Sequence, residues 1–155
     1  MKKASDKSSK SIFEDTAKPN EKANPAVGGD SKLDFKLVRK GSAPKLRDET
    51  ESIQYELGHV EGNLSLRIIS NDKDGLFSGE AIPISNITTC LSKYAKGTSF
   101  TSSVFTEAFS KKSSNNAGFL AAILRAEKVL APVKGKLFLH ELTIDSKTLE
   151  KYLSK

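Results

Sequence analysis

The residues able to carry acid–base, metal or nucleophilic chemistry are few and far apart. His59 and His140 are the only histidines, the side chains that titrate near neutral pH without help. Each ends or interrupts an alternating apolar stretch, SIQYELGH (52–59) and LFLHELT (137–143), where a structural histidine on a strand is the plain reading. A catalytic role would need a cleft and a carboxylate alongside, with Glu56 and Glu141 the nearest in sequence. Asp72 and Asp74 in NDKDG (71–75) open like a calcium loop, but the later oxygen ligands and closing glutamate are missing, so a polar turn is expected. Gly58, Gly62, Gly75 and Gly79 form neither GxGxxG nor GxxxxGK[ST], and no serine sits in GxSxG. The single cysteine, Cys90, can make no internal disulfide and has no zinc-type spacing around it. The expectation is a protein that is not an enzyme and takes no cofactor or metal.

A different chemistry, hydrogen bonding to a polymer, is suggested by SSNNAGFLAAIL (113–124). Small polar residues run directly into an apolar helix-like stretch. Two readings are open. Ser and Asn side chains can cap a core helix by accepting from its unpaired first-turn N–H groups. They can also form the polar mouth of a helix that reads DNA, where Asn pairs with adenine and Ser meets base or phosphate.

These candidates sit in a chain of 155 residues, a length that suits one domain plus a loose segment. Apolar residues make up 37% and Trp is absent, low for a chain that packs throughout. Residues 1–50 carry twelve Lys/Arg against eight Asp/Glu, and residues 51–155 thirteen against eleven, so most of the net charge of +6 lies in the first third. KPNEKANPAVGGD (18–30) has two prolines and no apolar period, so it cannot bury enough surface to offset the entropy of ordering. A disordered basic tail over 1–50 is expected, with LDFKLVR (33–39) as a strand or a partner-binding segment inside it. MKKASDKSSKS has the charge of a secretion signal without its apolar core, and no apolar run is long enough to span a bilayer. With the lone thiol, this predicts a cytoplasmic protein without membrane contact.

The elements that must position the candidates follow from periodicity over 51–155, predicted as one small α+β domain. SIQYELGH and LSLRIIS (64–70) alternate around the turn signal VEGN and predict a hairpin. LFSGEAIPIS (76–85) extends this to a three-stranded antiparallel meander, with Pro83 at a strand end or edge. Ile87, Cys90, Leu91 and Tyr94 predict a helix capped by Ser85 or Asn86 and ended by Gly97. Phe100, Val104, Phe105, Ala108 and Phe109 share a face if 99–112 is helical, although its Ser/Thr load leaves a strand open. A third helix is predicted from a cap at Asn115 or Asn116 through about Leu130, then a strand over 133–143 with Leu137 and Leu139 on one side, then a terminal helix capped by Asp145.

The rhythm of LRAEKVLAPVKGKLFLHELT (124–143), a helix end, a Pro and Gly turn and a returning apolar strand, resembles the third helix and wing of a winged helix-turn-helix domain. The resemblance covers about a third of the chain and implies DNA contacts. Ser114, Asn115 and Asn116 would lie at the base-reading helix entry, with Lys111 and Lys112 before it at phosphates. Lys134 and Lys136 would lie on the wing at phosphates, with Arg125 two turns into the helix. With only one strand visible, the wing would borrow a partner from 52–70. The expected function is a small nucleic-acid-binding or regulatory accessory protein. The other reading is a protein-interaction adaptor or assembly factor that binds no nucleic acid, using 33–39 to extend a sheet or Phe100, Phe105 and Phe109 as an apolar face. The two differ in whether Lys111, Lys112, Lys134 and Lys136 share a face with Asn115 and Asn116.

Overall fold

A computed structural model describes residues 34–73 and 75–154. The chain is a mixed α+β fold built on two antiparallel sheets. The first has strands β1 (Phe35–Pro44), β2 (Ser52–Val60), β3 (Asn63–Asn71) and β4 (Ile82–Pro83) in sequential order. The β2–β3 hairpin forms where alternation predicted it. Val60 pairs with Asn63 across a two-residue turn in which Glu61 and Gly62 both take positive φ, 51° and 84°, the conformation that matches strand twist.

The fold begins earlier than the boundary drawn at residue 50. β1 pairs with β2 from Phe35↔Val60 to Pro44↔Ser52, with a bulge between Leu37 and Arg39. Residues 35–44 therefore belong to the sheet, and Phe35–Arg39 of the LDFKLVR stretch enter it in its outer strand. The tail expectation for residues 1–33 lies outside the described residues. The third strand of the meander is shorter than predicted. The β4 pairing with β3 is confined to Ile82 and Pro83, at the sheet's other edge, and the buried Ser78 and Glu80 before it bond to residues 110–116 and to each other.

The second half runs α1 (Ile84–Leu91), β5 (Ser99–Thr101), a 3-10 turn (Ser102–Ala108), α2 (Asn116–Ala126), β6 (Leu130–Val133), β7 (Lys136–Leu142), a short 3-10 turn (Ser146–Thr148) and α3 (Leu149–Leu153). The second sheet is ordered β5-β7-β6. Helix, strand, helical turn, helix and hairpin in this order, with the first strand beside the last, keep the winged-helix-like sequence of elements. The wing borrows nothing from 52–70. Its partner strand is β6, paired from Leu130↔Leu142 to Val133↔Lys136 around Lys134 and Gly135.

Several boundaries moved. α1 follows Pro83, with no side-chain cap from Ser85 or Asn86, and ends at Leu91, well before Gly97. The 99–112 segment is strand and 3-10 turn, not an α-helix, yet Phe100, Phe105, Ala108 and Phe109 are buried together as their spacing implied. α2 stops at Ala126, not near Leu130, since Lys128 turns the chain at φ 68°. On β7 the expected sides are exchanged: Leu137 is exposed and His140 is fully buried. Asp145 caps the terminal helical segment as predicted, accepting from Lys147 N–H.

One contiguous apolar cluster joins both sheets. Leu57, Leu66 and Ile68 meet Ile87 and Leu91 of α1, Leu120, Ile123 and Leu124 of α2, and Leu149 and Leu153 of α3. α2 is buried along Leu120–Leu124, while its Ala117, Gly118 and Phe119 are half-buried.

Candidate functional site

The region 110–116, which opens α2, is built by two buried polar side chains. Glu80 is 6% exposed. Its carboxylate accepts from the Ser110 N–H and hydroxyl, from Lys111 N–H and from the Ser78 hydroxyl at 2.6–3.0 Å. Burial alone would raise its pKa, but these four donors outweigh it and hold the carboxyl below its usual range. Asn116 is 3% exposed. Its Oδ1 accepts from Ser78 N–H at 2.8 Å and its Nδ2 donates to the Lys111 carbonyl at 3.1 Å. Asn115 donates its amide to the Leu76 carbonyl at 3.0 Å, and Ser113 donates its hydroxyl to the same oxygen. Neither Asn makes a side-chain cap on α2. Ser113, Asn115 and Asn116 thus form neither the expected side-chain cap nor an outward mouth; they staple the 76–80 loop to the start of α2, and Ser114 alone is exposed.

Beside this staple lies a cleft of about 810 Å³. One wall is the outer face of α2 at Ala117, Gly118 and Phe119, with Ser114 and Asn115 ahead of it. The opposite wall is the loop after β1, at Lys45, Arg47, Asp48 and Glu51. The 3-10 turn brings Ser102, Ser103 and Thr106, and β7 brings Phe138. A smaller groove lined by Lys111, Lys112, Ser113, Ser114 and Asn116 adjoins it, with Thr106, Ser114 and Ala117 lining both. Two cations lie over two aromatic faces in the cleft: Lys45 Nζ is 5.5 Å from the Phe119 ring centre, and Arg47 is 5.4 Å from that of Phe138. Lys45 also pairs with Glu51 at 2.9 Å. The formal charges of Lys45 and Arg47 are thereby matched by those of Asp48 and Glu51 along the cleft itself.

The sequence-predicted contact residues divide into two sets. Lys112, Ser114, Lys134 and Lys136 are exposed, and so is Lys111, whose backbone is held by Glu80. Asn115, Asn116 and Arg125 are committed internally. Arg125 donates from its Nη2 to the carbonyls of Leu137 and Leu139 and from Nε to His140 Nδ1 at 3.0 Å, which fastens the wing to α2. Leu46, Arg47, Phe119, Phe138 and Ser102 were missed by the sequence reading. They belong to segments it assigned to a tail or to a helix or strand core, and no local spacing marks them.

His140 Nε2 lies 2.8 Å from Ser102 Oγ. The pair has the look of a nucleophile and its base, but its polarity is the reverse. A guanidinium Nε–H can only donate, so Nδ1 of His140 accepts and Nε2 carries the proton toward Ser102. A base for a serine nucleophile needs Nε2 unprotonated and Nδ1–H held by an acceptor. Burial, and secondarily Arg125, push His140 down to about 4 from 6.5, so the ring is neutral at neutral pH. His59 lies half-buried on β2 opposite Leu64 and Lys36. Among the described residues no group of His, Cys, Asp and Glu is arranged to hold a metal, and no helix is long and apolar enough to cross a membrane.

No family model, curated protein or solved structure matches this chain. The functional reading rests on the site's own chemistry.

Proposed function

We propose that this protein is a small non-enzymatic nucleic-acid-binding or accessory protein whose contact surface is the cleft between α2, the 45–51 loop and the wing. The observation that carries the reading is the pair of cation-flanked phenylalanines, Phe119 and Phe138, within one cleft that adjoins the Lys111–Lys112 groove. Aromatic platforms with adjacent Lys or Arg suit unstacked bases, and a basic groove suits the backbone between them. Lys134 and Lys136 extend the cationic edge along the wing beside Phe138.

This moves the contact from helix readout to single-strand stacking. A helix entering a major groove presents an outward face, whereas α2 has no exposed residue and faces a concave wall. Phe138 is 45% exposed, open enough to stack on a base.

One observation favours the adaptor reading. Outer strand β1 leaves Leu37 and Val38 exposed, at 50% and 42%, where a partner strand could add. The bulge between Leu37 and Arg39 interrupts the ladder at that point and works against such an addition, so nucleic acid is the reading retained.

The test is fluorescence anisotropy of the full chain with a short labelled single strand and its duplex, at low and moderate salt. Tighter binding of the single strand is expected, weakening as salt rises. Phe138→Ala should cost about tenfold in affinity, the scale of one lost base stack. Equal binding of duplex and strand, or no effect of Phe138→Ala, would overturn the proposal.

A further inference from the structure

Arg47 brings an unspent hydrogen-bonding group to the Phe138 platform. The other cleft cation is committed: Lys45 donates to Glu51 at 2.9 Å and to Asn71 Oδ1 at 3.0 Å. Arg47 is exposed, and among the described residues no oxygen or nitrogen accepts from its guanidinium. It rests over the Phe138 ring, its guanidinium carbon 5.4 Å from the ring centre. A guanidinium is planar, with five N–H donors in a fixed fork and no acceptor. Whatever bonds to it must therefore accept, and two acceptors side by side suit the fork best. A cation–π contact at an exposed site is weak, so Arg47 leaves the ring face for its rim at little cost when a base takes that face.

Among the acceptors of a nucleic acid, a phosphate is the poorer fit here. Asp48 follows Arg47 on the loop and Glu51 lies on the same wall, and their carboxylates oppose a further anion. Neutral acceptors on a base edge meet no such opposition. Guanine sets N7 and O6 side by side, whereas adenine places an amino donor beside N7 and thymine has O4 beside a methyl group. Cytosine sets N3 beside O2 but brings a smaller ring to the stack. Resting on the nucleic-acid reading above, we infer that Arg47 donates two N–H groups to N7 and O6 of a guanine stacked on Phe138, and that the cleft prefers a strand with guanine at that position. Adenine in the same place sets its amino group against a group that can only donate, which leaves two donors opposed. Phe138 stacks on any base, and Arg47 supplies the choice among them.

The experiment measures binding of the full chain to short thymidine strands that differ at one central position, which holds guanine, adenine or 7-deazaguanine. The guanine strand should bind about tenfold more tightly than the adenine strand, the scale of one bidentate pair at its weaker end. The 7-deazaguanine strand, which lacks the N7 acceptor, should lose most of that advantage. Arg47→Lys keeps the charge but not the fork. It should bind an all-thymidine strand as the unaltered chain does, yet bring guanine and adenine to within about twofold of each other. Phe138→Ala should weaken every strand together. Equal binding of guanine and adenine, full binding of 7-deazaguanine, or a preference retained in Arg47→Lys overturns the inference while leaving strand binding intact. Failure of every strand to bind overturns the inference together with the functional proposal.

Discussion

Arg39 grips Glu127 with both ends of its guanidinium, Nη1 to Oε2 at 2.7 Å and Nη2 to Oε1 at 2.8 Å, across 88 residues of sequence. Tyr55 donates its hydroxyl to the same carboxylate, and Arg39 also reaches the Leu153 carbonyl at 3.3 Å. Burial would raise Glu127, but the Arg39 and Tyr55 hydrogen bonds prevail and hold it below the usual carboxylate range, while burial and Glu127 push the Tyr55 phenol up. The cluster ties β1 and β2 to the end of α2 and to α3. Arg39→Ala leaves a carboxylate that is 10% exposed without its cation, and a loss of about 2–3 kcal/mol is expected. Urea titration measures it. A chain begun at Glu51 loses β1, Arg39 and one wall of the cleft at once. It should show no cooperative melt in urea.

Gly41 lies under the Tyr55 ring. A Cβ there would come within 2.4 Å of Cζ and 2.5 Å of the hydroxyl oxygen. Gly41→Ala must push the ring off Glu127, and a cost of about 1–3 kcal/mol is expected from overpacking and the lost hydrogen bond. Gly118, inside α2, supplies the contrast, because an added Cβ meets nothing within 4 Å. Gly118→Ala should raise stability by about 0.5–1 kcal/mol through helix propensity. Thermal melts of the two variants should move in opposite directions, and a shared direction would contradict this geometry.

His140 makes the fold sensitive to mild acid. Its folded pKa is depressed to about 4 from 6.5 by burial and by Arg125, with Ser102 Oγ and the Phe100 ring as its other neighbours. As pH falls below 6.5 the unfolded chain takes up this proton before the folded one does. The contribution is complete above that value and is lost as pH drops toward 4, about 3 kcal/mol in all. Glu80 and Glu127, both held low by their donors, act in the same direction at lower pH. Between about pH 7.5 and about pH 5 the urea midpoint of the protein should fall more than that of His140→Gln, in which the imidazole step is absent. Equal falls would mean that His140 is no more buried from protons when folded than when unfolded.

Two elements were legible from local signals alone. Alternation with VEGN between two runs gives the β2–β3 hairpin, and Asp145 gives the terminal cap, because the information sits within a few residues. The errors lie where distant groups decide. Nothing near Phe35 says that β2 will accept it as a sheet partner, so 33–39 reads as a strand or a partner-binding segment and the rest of β1 as tail. Leu130 reads as the end of a helix and Pro132 as its stop until β7 pairs with Leu130–Val133. His140 was placed beside an apolar face without its partner, since Arg125 lies fifteen residues away on another element. The cleft was the least legible, because its walls come from a loop, a 3-10 turn, a helix and a strand that only the complete fold brings together.

The Asn and Lys residues of the predicted contact set should separate cleanly. Asn116 uses Oδ1 for Ser78 N–H and Nδ2 for the Lys111 carbonyl. Asn116→Asp keeps the first bond and places an oxygen against the Lys111 carbonyl in the second, inside a site that is 3% exposed. A loss of about 2–3 kcal/mol is expected, for a buried acceptor left without its donor and a charge without a cation. Lys134 and Lys136 flank the exposed wing turn, and replacing both by Ala should change the melting temperature little. If they meet phosphates, each removed contact should lower the slope of log affinity against log salt by about one. Asn116→Asp should leave that slope alone at temperatures where it stays folded. A slope that follows Asn116 instead of the lysines would return the SSNN stretch to the nucleic-acid face and remove it from the scaffold.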